Sequence, residues 1–413
     1  MPVDGEIRAI TRDELRAFVM AVEGSFGHHA TEEDVDDAAA LFEPGRCFAA
    51  LVDGRIVGGT ATLSLELTVP GGAVVGAAGA TDAGVLPTHR RRGLFRDLNA
   101  VQLNDGRDRG DAVALLTASE GTIYGRFGYG VAAFSHAVEV ARGDGAFANP
   151  VQTPGELRLL GPEECVLLLP ELFERYRRGR PGEVSRGDAF WDVLLRDRER
   201  WRDGGSGRFV VAHEAPDGDV DGYVAYRVHA SWPANIPDFA LTVDEVVALS
   251  PAVHTALWRY VLDVDLIGTV GAWNLPPDEP LRWLLADPRA FRVTGVTDML
   301  WLRLVDVGGA LAARRYSAAA RIVLDVEDAF LPANTGRYVL DGGPGGAEVT
   351  RAATGPAVDL SVRAADLAAA YLGGVRLSTL ARAGRVVEHT PGTVSTADAM
   401  FVSDPLPHCS TDF

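Results

Sequence analysis

The chain of 413 residues is long enough for two or three domains, and its composition (47% hydrophobic, 23% charged) is that of a globular protein. Its 39 basic and 57 acidic residues give a net charge of −18, which disfavours nucleic acid and anionic membranes as partners and favours small cations. No run of about 18 apolar residues predicts a membrane-spanning helix, and the opening residues lack the basic and apolar parts of a signal peptide, so we expect a cytoplasmic protein.

The first third of the chain predicts alternating strands and helices. A capping box, Thr11-x-x-Glu14, begins a predicted helix over residues 11–24. The continuous apolar run over 112–118 suits a strand that is buried on both faces. The other elements predicted here are strands over 47–52, 56–69 and 73–85, and a helix from Gly93 to about residue 104.

A stretch rich in Gly and Pro, over 141–154, separates this part from the next. The middle third predicts helices over 170–176, 189–200 and 252–262 and strands over 208–213, 222–228 and 244–249. The last part predicts strands over 320–326 and 336–340 and helices over 364–371 and 377–383. We therefore expect three domains, over residues 1–150, 151–305 and 306–413.

The three cysteines, at positions 47, 165 and 409, are far apart and form no C-x-x-C pair. This spacing predicts neither a disulfide framework nor a zinc site. The nine histidines are scattered as well, so we expect no metal.

Two segments share one pattern, which is a strand, a turn with proline and an amphipathic helix. They centre on Pro87 and Pro251, 164 residues apart. When the prolines are superposed, Arg90–Gly93 correspond to His254–Leu257, so the second segment keeps the apolar helix face and loses the residues that could hold an anion. A duplicated domain with one inactive site and a coincidence are both open at this point.

The strongest motif is the sequence VLPTHRRRGLF at 85–95, in which a strand leads through a basic turn into a helix. A helix N-terminus offers unpaired N–H groups and the positive end of a dipole, and both favour phosphate. Gly93 permits close approach to the backbone, and the arginines add positive charge. The simpler alternative is a solvated basic run at the start of a helix.

This motif resembles the pyrophosphate loop of the GNAT-superfamily acetyltransferases, which bind acetyl-CoA. The family pattern Arg/Gln-x-x-Gly-x-Gly/Ala is matched by Arg90 to Phe95, although Phe95 replaces the usual small residue. After the buried strand, Tyr124-Gly125-Arg126-Phe127-Gly128-Tyr129 resembles the superfamily's closing Tyr-x-x-Phe-Gly element, whose tyrosine lies beside the cofactor sulfur. The alternative for Tyr124 is a half-buried tyrosine in a turn.

The sequences of the two motifs most resemble those of one branch, the Eis (enhanced intracellular survival) acetyltransferases. That resemblance implies two tandem GNAT-like domains of α/β architecture, the second degenerate, followed by a sterol-carrier-like α+β domain. It also implies a homohexamer, and an acidic residue and phenylalanine at the end of the chain, matched by Asp412-Phe413. The family's terminal carboxylate enters the active site of the first domain.

The resemblance further implies which residues serve acetyl transfer to an amine. Tyr124 would be the general acid and the carboxylate of Phe413 the general base. The backbone N–H of Val85 would polarise the thioester carbonyl. The residues implied to bind acetyl-CoA are Ala83, Gly84, Val85, Arg90, Arg91, Arg92, Gly93, Leu94, Phe95, Arg96, Ser119 and Glu120.

Eis-type enzymes acetylate polyamines, aminoglycosides and lysine side chains, so the resemblance implies a small cationic amine as substrate. Phe26 matches the wall of the family's substrate pocket, whereas His28 stands where an acidic residue is usual. Asp412 would add a negative charge near the amine. His28, and the lack within Thr31–Asp37 of the aromatic residue that follows in the family, put aminoglycosides in doubt as substrates and leave the acetyl-CoA site unaffected.

Two other classes of protein are compatible with the sequence. The first is a lipid or ligand carrier, in which an apolar tunnel in residues 310–413 would be the functional part. The second is an acyl-CoA-binding regulatory protein without catalysis. The presence of Tyr124 and Phe413 favours the enzyme over both.

Overall fold

The computed structural model describes residues 5–151, 153–352 and 355–413. They form two compact units. The first unit contains the described residues up to Ala133 together with Pro181–Ser185 and Asp298–Phe413, and the second contains Phe134–Arg180 and Arg186–Thr297.

The first third of the chain has the element order β-α-α-β-β-β-α-β-α-β. Its elements are β1 (Glu6–Ala9), α1 (Leu15–Phe26), α2 (Glu32–Leu41), β2 (Phe48–Val52), β3 (Arg55–Thr68), β4 (Val74–Val85), α3 (Leu94–Arg109), β5 (Val113–Leu116), α4 (Gly121–Tyr124) and β6 (Gly130–Ala141).

The middle third repeats this order element by element, which favours duplication over coincidence. Its elements are β7 (Glu156–Leu159), α5 (Pro162–Arg177), α6 (Asp188–Leu195), β8 (Phe209–Glu214), β9 (Val220–His229), β10 (Phe239–Ala248), α7 (Pro251–Asp263), β11 (Ile267–Leu275), α8 (Leu281–Leu284) and β12 (Arg292–Leu304).

The last part forms a five-stranded sheet with helices. Its elements are α9 (Val307–Ala313), β13 (Ala320–Glu327), β14 (Gly336–Gly343), β15 (Gly346–Ala352), β16 (Leu360–Arg363), α10 (Ala364–Tyr371), α11 (Leu377–Arg382), β17 (Val386–Glu388) and α12 (Thr393–Phe401). The strands lie in the order β15-β14-β13-β16-β17.

In the first unit the main sheet has the order β1-β2-β3-β4-β5-β12, and only β4 and β5 are parallel neighbours. The strand beside β5 is β12, with Trp301 opposite Leu116. In the second unit the order is β7-β8-β9-β10-β11-β6, again with one parallel pair, β10 and β11.

The packing of α1 shows why the sequence forms these elements. The predicted capping box is confirmed, because the Glu14 carboxylate accepts a hydrogen bond from the Thr11 N–H at 2.9 Å. Phe18 and Val22 are fully buried and face the sheet. A Cβ at Gly59 on β3 would overlap the Phe18 ring, so glycine there allows α1 to lie close to the sheet.

Several element boundaries differ from the prediction. Helix α3 continues to Arg109, and α5 begins at Pro162 rather than near Pro170, which lies inside the helix. Helix α6 ends at Leu195, before the predicted residue 200. Helix α2 was not predicted, because only two of its residues, Asp37 and Ala38, are buried and its apolar periodicity is weak.

Candidate active site

The strands β4 and β5 run side by side for a short distance and then part. Their parallel ladder extends from Ala77 opposite Val113 to Gly79 opposite Leu115, while β4 continues to Val85. Here β4 carries a bulge, because the step from Thr81 to Gly84 faces the shorter step from Gly59 to Ala61 on β3. Beyond Gly79 the edge of β4 that faced β5 therefore offers backbone N–H and C=O groups to a ligand.

The basic turn leads from this open edge into α3. Gly93 stands at the N-cap with a φ of 91°, and no side chain caps the helix there. The N–H groups of the first turn are thus available, at the positive end of the helix dipole. The side chains of Arg91, Arg92 and Arg96 are exposed around this helix start. The combination is suited to a pyrophosphate.

The Arg90 guanidinium makes two hydrogen bonds to the protein itself, whereas that of Arg92 makes one, from Nη2 to the carbonyl of Thr88 at 3.2 Å. Arg90 Nε donates to the carbonyl of Val85 at 3.0 Å, and Nη2 donates to the carbonyl of Ser25 at 2.7 Å. This side chain ties the end of β4 to the end of α1. Arg90 therefore braces the loop, and its predicted contact with acetyl-CoA stays a prediction.

Two apolar residues of the predicted loop face inward. Leu94 is buried, and Phe95 is half-buried with its ring centroid 6.1 Å from that of Tyr124 and 6.0 Å from that of Phe127. The aromatic residue fits at position 95 because its ring packs against Tyr124 and Phe127 and not toward the proposed pyrophosphate position. Ala83 is half-buried, and Gly84 and Val85 are buried, at the end of β4.

Tyr124 is the last residue of α4 and only 6% exposed. Its ring lies among Phe95, Tyr129 and Trp301, with centroids 6.0 to 6.5 Å away. Burial, with a smaller contribution from Glu120, raises the pKa of Tyr124 above that of an ordinary phenol. The hydroxyl therefore stays protonated at neutral pH. Ser119 and Glu120, which precede α4, are both exposed.

The far end of the described chain lies at the same edge of the sheet. Thr117, directly after β5, donates a hydrogen bond from Oγ1 to the main-chain oxygen of Phe413 at 3.2 Å. A Cβ at Gly79 on β4 would lie 3.3 Å from the Phe413 ring. Phe413 thus lies against β4 and β5 at the level where the two strands part.

The Asp412 side chain is exposed. Desolvation raises the pKa of Asp412, while a hydrogen bond from Thr117 and the backbone N–H of Phe413 act in the opposite direction. The role of Asp412 near the amine stays a prediction.

The end of α1 contributes another edge of the site. A Cβ at Gly84 would overlap Ser25 Oγ and lie 3.7 Å from the Phe26 ring, so Phe26 lies next to the end of β4. The Phe26 side chain is 46% exposed. His28 is also exposed, with Nδ1 3.6 Å from a carboxylate oxygen of Glu23.

Asp82 was not predicted as a site residue; it is the bulge residue of β4 and has a φ of 47°. Burial, with the nearby carboxylates of Glu23 and Asp34, raises the pKa of Asp82 to about 6. An aspartate within an otherwise apolar predicted strand was the available indication. Thr117 and Trp301 were missed as well, because only the folded chain brings them to Phe413 and Tyr124.

Two negative findings hold for residues 5–151, 153–352 and 355–413. No helix in these ranges is both long and apolar enough to cross a bilayer. No group of three or more His, Cys, Asp or Glu side chains in them is arranged to hold a metal ion.

A sheet whose parallel central strands part beside an uncapped, basic helix start defines a GNAT-type acetyltransferase domain. Family models agree: the acetyltransferase (GNAT) domain matches residues 6–132 and again 182–304, and the sterol carrier protein domain matches 307–410. The predicted fold class, with two GNAT domains and a sterol-carrier-like domain, is confirmed.

Individual relatives show to which branch of the GNAT superfamily the chain belongs. An uncharacterised N-acetyltransferase of Streptomyces coelicolor is 42% identical over 85% of this chain and 84% of its own. The N-acetyltransferase Eis of Mycobacterium tuberculosis is 36% identical over the same shares. The crystal structure of Eis1 from Mycobacterium abscessus superposes with a TM-score of 0.86 at 36% identity, covering 99% of this chain and 100% of that one. The chain belongs to the Eis-like GNAT acetyltransferases, and it is an acetyltransferase with acetyl-CoA as the implied acyl donor.

Proposed function

We propose that this acetyltransferase transfers acetyl from acetyl-CoA directly to a small cationic amine, with Tyr124 as general acid and the carboxylate of Phe413 as general base. The observation that carries the proposal is the hydrogen bond from Thr117 to Phe413, which fixes the end of the chain where β4 and β5 part. The proposal takes Phe413 as the last residue, as the Eis resemblance implies.

The residues of the first domain fit acetyl-CoA as a bound substrate. The open edge of β4 at Ala83, Gly84 and Val85 would pair with the pantetheine arm, and the N–H of Val85 would polarise the thioester carbonyl. The start of α3, with Gly93 and the exposed Arg91, Arg92 and Arg96, would hold the pyrophosphate. Arg90, Leu94 and Phe95 would support that loop, and Ser119 and Glu120 would flank the arm.

The chemistry needs a base, because only about one alkylamine in a thousand is neutral at pH 7. In the proposed step the Phe413 carboxylate accepts a proton from the ammonium group, and the nitrogen then bonds to the acetyl carbon. The carbon–sulfur bond breaks, and Tyr124 hydrogen-bonds the developing thiolate and supplies its proton. The nitrogen loses its second proton to solvent as the amide forms, the Tyr124 phenolate regains a proton from solvent, and the carboxyl releases the proton that it accepted, so one proton is released overall. An ordinary terminal carboxyl has a pKa of about 3.5, so its negative charge also serves to hold the ammonium.

The acceptor would bind on the α1 side of β4, between Phe26 and Phe413. The exposed Phe26 ring supplies an apolar wall, and Asp412 and Asp82 supply negative charge. His28, with Glu23 beside it, lies at the rim. This combination favours polyamines and lysine side chains, and aminoglycosides are the third class to be tested.

The remaining expectations belong to the same proposal. We propose a cytoplasmic homohexamer with domains over 1–150, 151–305 and 306–413, which needs no metal and binds no nucleic acid. The Eis resemblance supports the hexamer and the domain division, and the net charge of −18 supports small cations as partners in place of nucleic acid.

Thiol release from acetyl-CoA tests the proposal, measured with polyamines, aminoglycosides and lysine peptides. One protein should end at Phe413, and a second should carry a short extension after it. We expect amine-dependent release from the first, and a loss of about 100-fold or more in kcat from the second, because the extension removes the carboxylate. Equal kcat in the two proteins would contradict the base, and the absence of release with every amine would favour a carrier or regulatory protein.

A further inference from the structure

The segment just before Phe413 is held by a carboxylate from a distant part of the chain. Glu183 is fully buried. Its two carboxylate oxygens accept hydrogen bonds from the N–H of Ser410 at 3.1 and 3.2 Å, and one also accepts from Ser410 Oγ at 3.0 Å. Nδ1 of His408 lies 3.3 Å from the other oxygen. A buried carboxylate is costly unless hydrogen-bond donors surround it, and here the tail of the chain (residues 402–413) supplies the donors.

The backbone around Glu183 is itself fixed on both sides. Thr68 at the end of β3 exchanges hydrogen bonds of 2.9 Å with this segment, donating its N–H to the Glu183 carbonyl and accepting from the N–H of Gly182. The N–H of His408 donates to the carbonyl of Pro181 at 2.9 Å. Gly182 has a φ of 95°, and a Cβ there would lie 2.7 Å from the His408 carbonyl oxygen. The tail therefore lies directly against this short segment.

The distance from the anchor to the reacting end is short. Phe413 is the third residue after Ser410, which is a reach of about 10 Å at most. Between them, Thr411 is buried and its carbonyl accepts a hydrogen bond from Cys409 Sγ at 3.3 Å. Thr117 then holds the main-chain oxygen of Phe413. Orientation of the last residue thus begins at the Glu183 contacts.

We propose that Glu183 is a positioning residue for acetyl transfer, which orients the carboxylate of Phe413 by anchoring Ser410 and His408. This inference rests on the proposed function, since it gives the Phe413 carboxylate its geometry. A misplacement of about 1 Å in a reacting group is enough to lower a rate by about 100-fold. In this proposal Glu183 acts through Ser410 and His408 and not on the reacting groups.

Glu183→Gln tests the proposal, because the amide keeps the shape and presents an NH2 group to donors that need an acceptor. Glu327→Gln is the matched control, an exposed glutamate on β13. Hydrogen exchange of a peptide covering residues 402–413 reports the order of the tail without any need for activity. We expect exchange in this peptide to be at least 10-fold faster in Glu183→Gln and unchanged in Glu327→Gln. Unchanged exchange in Glu183→Gln would overturn the proposal.

The kinetic test separates positioning from general support of the fold. We expect Glu183→Gln to lower kcat at least 10-fold while the Kd for acetyl-CoA stays within twofold. In a protein that lacks Phe413, adding Glu183→Gln should cost nothing further, because its effect passes through that residue. Losses that multiply would overturn the positioning role. Faster exchange with an unchanged kcat would overturn the role of Phe413 as the base, and with it the catalytic importance of the anchor.

A milder variant covers the case in which Glu183→Gln fails to fold. Ser410→Ala removes the hydroxyl donor and keeps the N–H donor. We expect a smaller change in the same direction, about two- to fivefold in both exchange and kcat. Wild-type values in both measurements would overturn the proposal.

Discussion

The two strand–turn–helix segments, β4–α3 and β10–α7, share their scaffold and differ where a ligand would bind. Like β4, β10 carries an extra residue at a bulge, between Val243 and Glu245, and its parallel ladder to β11 ends at Val243 opposite Ala272. The helix starts differ, because Ser250 Oγ accepts a hydrogen bond from the Val253 N–H at 3.3 Å and Pro251 occupies the first turn of α7. The second helix start is thus satisfied internally, whereas the first is open.

The side chains around the two bulges differ in the same sense. Asp82 in the first segment has the acidic neighbours Glu23 and Asp34, whereas Asp244 in the second is paired with Arg208 at 3.1 Å and Arg227 at 3.2 Å. The short helix after the next strand ends in Tyr124 in the first half of the duplication (β1 to β6) and in Leu284 in the second half (β7 to β12). The fold can therefore keep its architecture after the basic turn, the open helix start and the tyrosine hydroxyl are lost.

The largest expected effect follows from closing the first helix start. Gly93→Asp would place a carboxylate where the pyrophosphate is proposed to bind, so we expect the Kd for acetyl-CoA to rise about 1,000-fold, or about 4 kcal/mol. Calorimetric titration measures it. Gly93→Asn is the matched control for strain at positive φ, and we expect a rise of about 10-fold. Equal effects of the two variants would show that charge is not what this site selects.

Tyr124→Phe removes a hydroxyl that the second half, with leucine at the corresponding position, also lacks. We expect kcat for amine-dependent thiol release to fall about 100-fold, with the Kd for acetyl-CoA unchanged. Tyr129→Phe is the control, since its buried hydroxyl has no hydrogen-bond partner among the described residues. A similar loss in both variants would point to packing of the aromatic cluster instead of proton donation.

Asp82→Asn removes the carboxylate at the first bulge. Because the pKa of Asp82 is raised to about 6, its charge is present above that pH and lost below it. We expect the KM for a diamine to rise about fivefold at pH 7.5, or about 1 kcal/mol, and the step in KM near pH 6 to disappear. The raised pKa also means that stability falls as pH rises from about 4 to 6, and thermal unfolding of the variant should lack this slope.

Asp244→Asn in the second half is the counterpart of that variant. It should cost about 2 kcal/mol of folding free energy, because Arg208 and Arg227 lose a charged acceptor, and it should leave the KM unchanged. A shift in KM from Asp244→Asn would show that the second bulge takes part in substrate binding.

The sequence was sufficient where a local pattern carries the structure. The capping box at Thr11 and the strand–turn–helix at Pro87 are both short-range features, and each lies in the predicted type of element. It was insufficient for contacts between distant residues. Nothing local indicates that Trp301 packs near Tyr124 or that Glu183 holds Ser410, because strand pairing and the path of the tail decide both.

Arg90 shows the same limit within a motif that was recognised. The three consecutive arginines at 90–92 are equivalent in sequence, but only the folded turn brings Arg90 within reach of the carbonyls of Val85 and Ser25. The motif alone cannot distinguish an arginine that supports the loop from one that contacts the ligand, because both roles need the same residue type at the same helix start.

The smallest expected effect concerns the closed helix start of the second half. Ser250→Ala removes the cap of α7 and should lower the free energy of unfolding by about 1 kcal/mol, as measured by urea denaturation. It should leave the Kd for acetyl-CoA unchanged, and we expect one acetyl-CoA per chain, because the second half also lacks the arginines and the glycine of the first. A second acetyl-CoA bound by this variant would show that the cap alone had closed the site, and that the open helix start outweighs the arginines in making the first one.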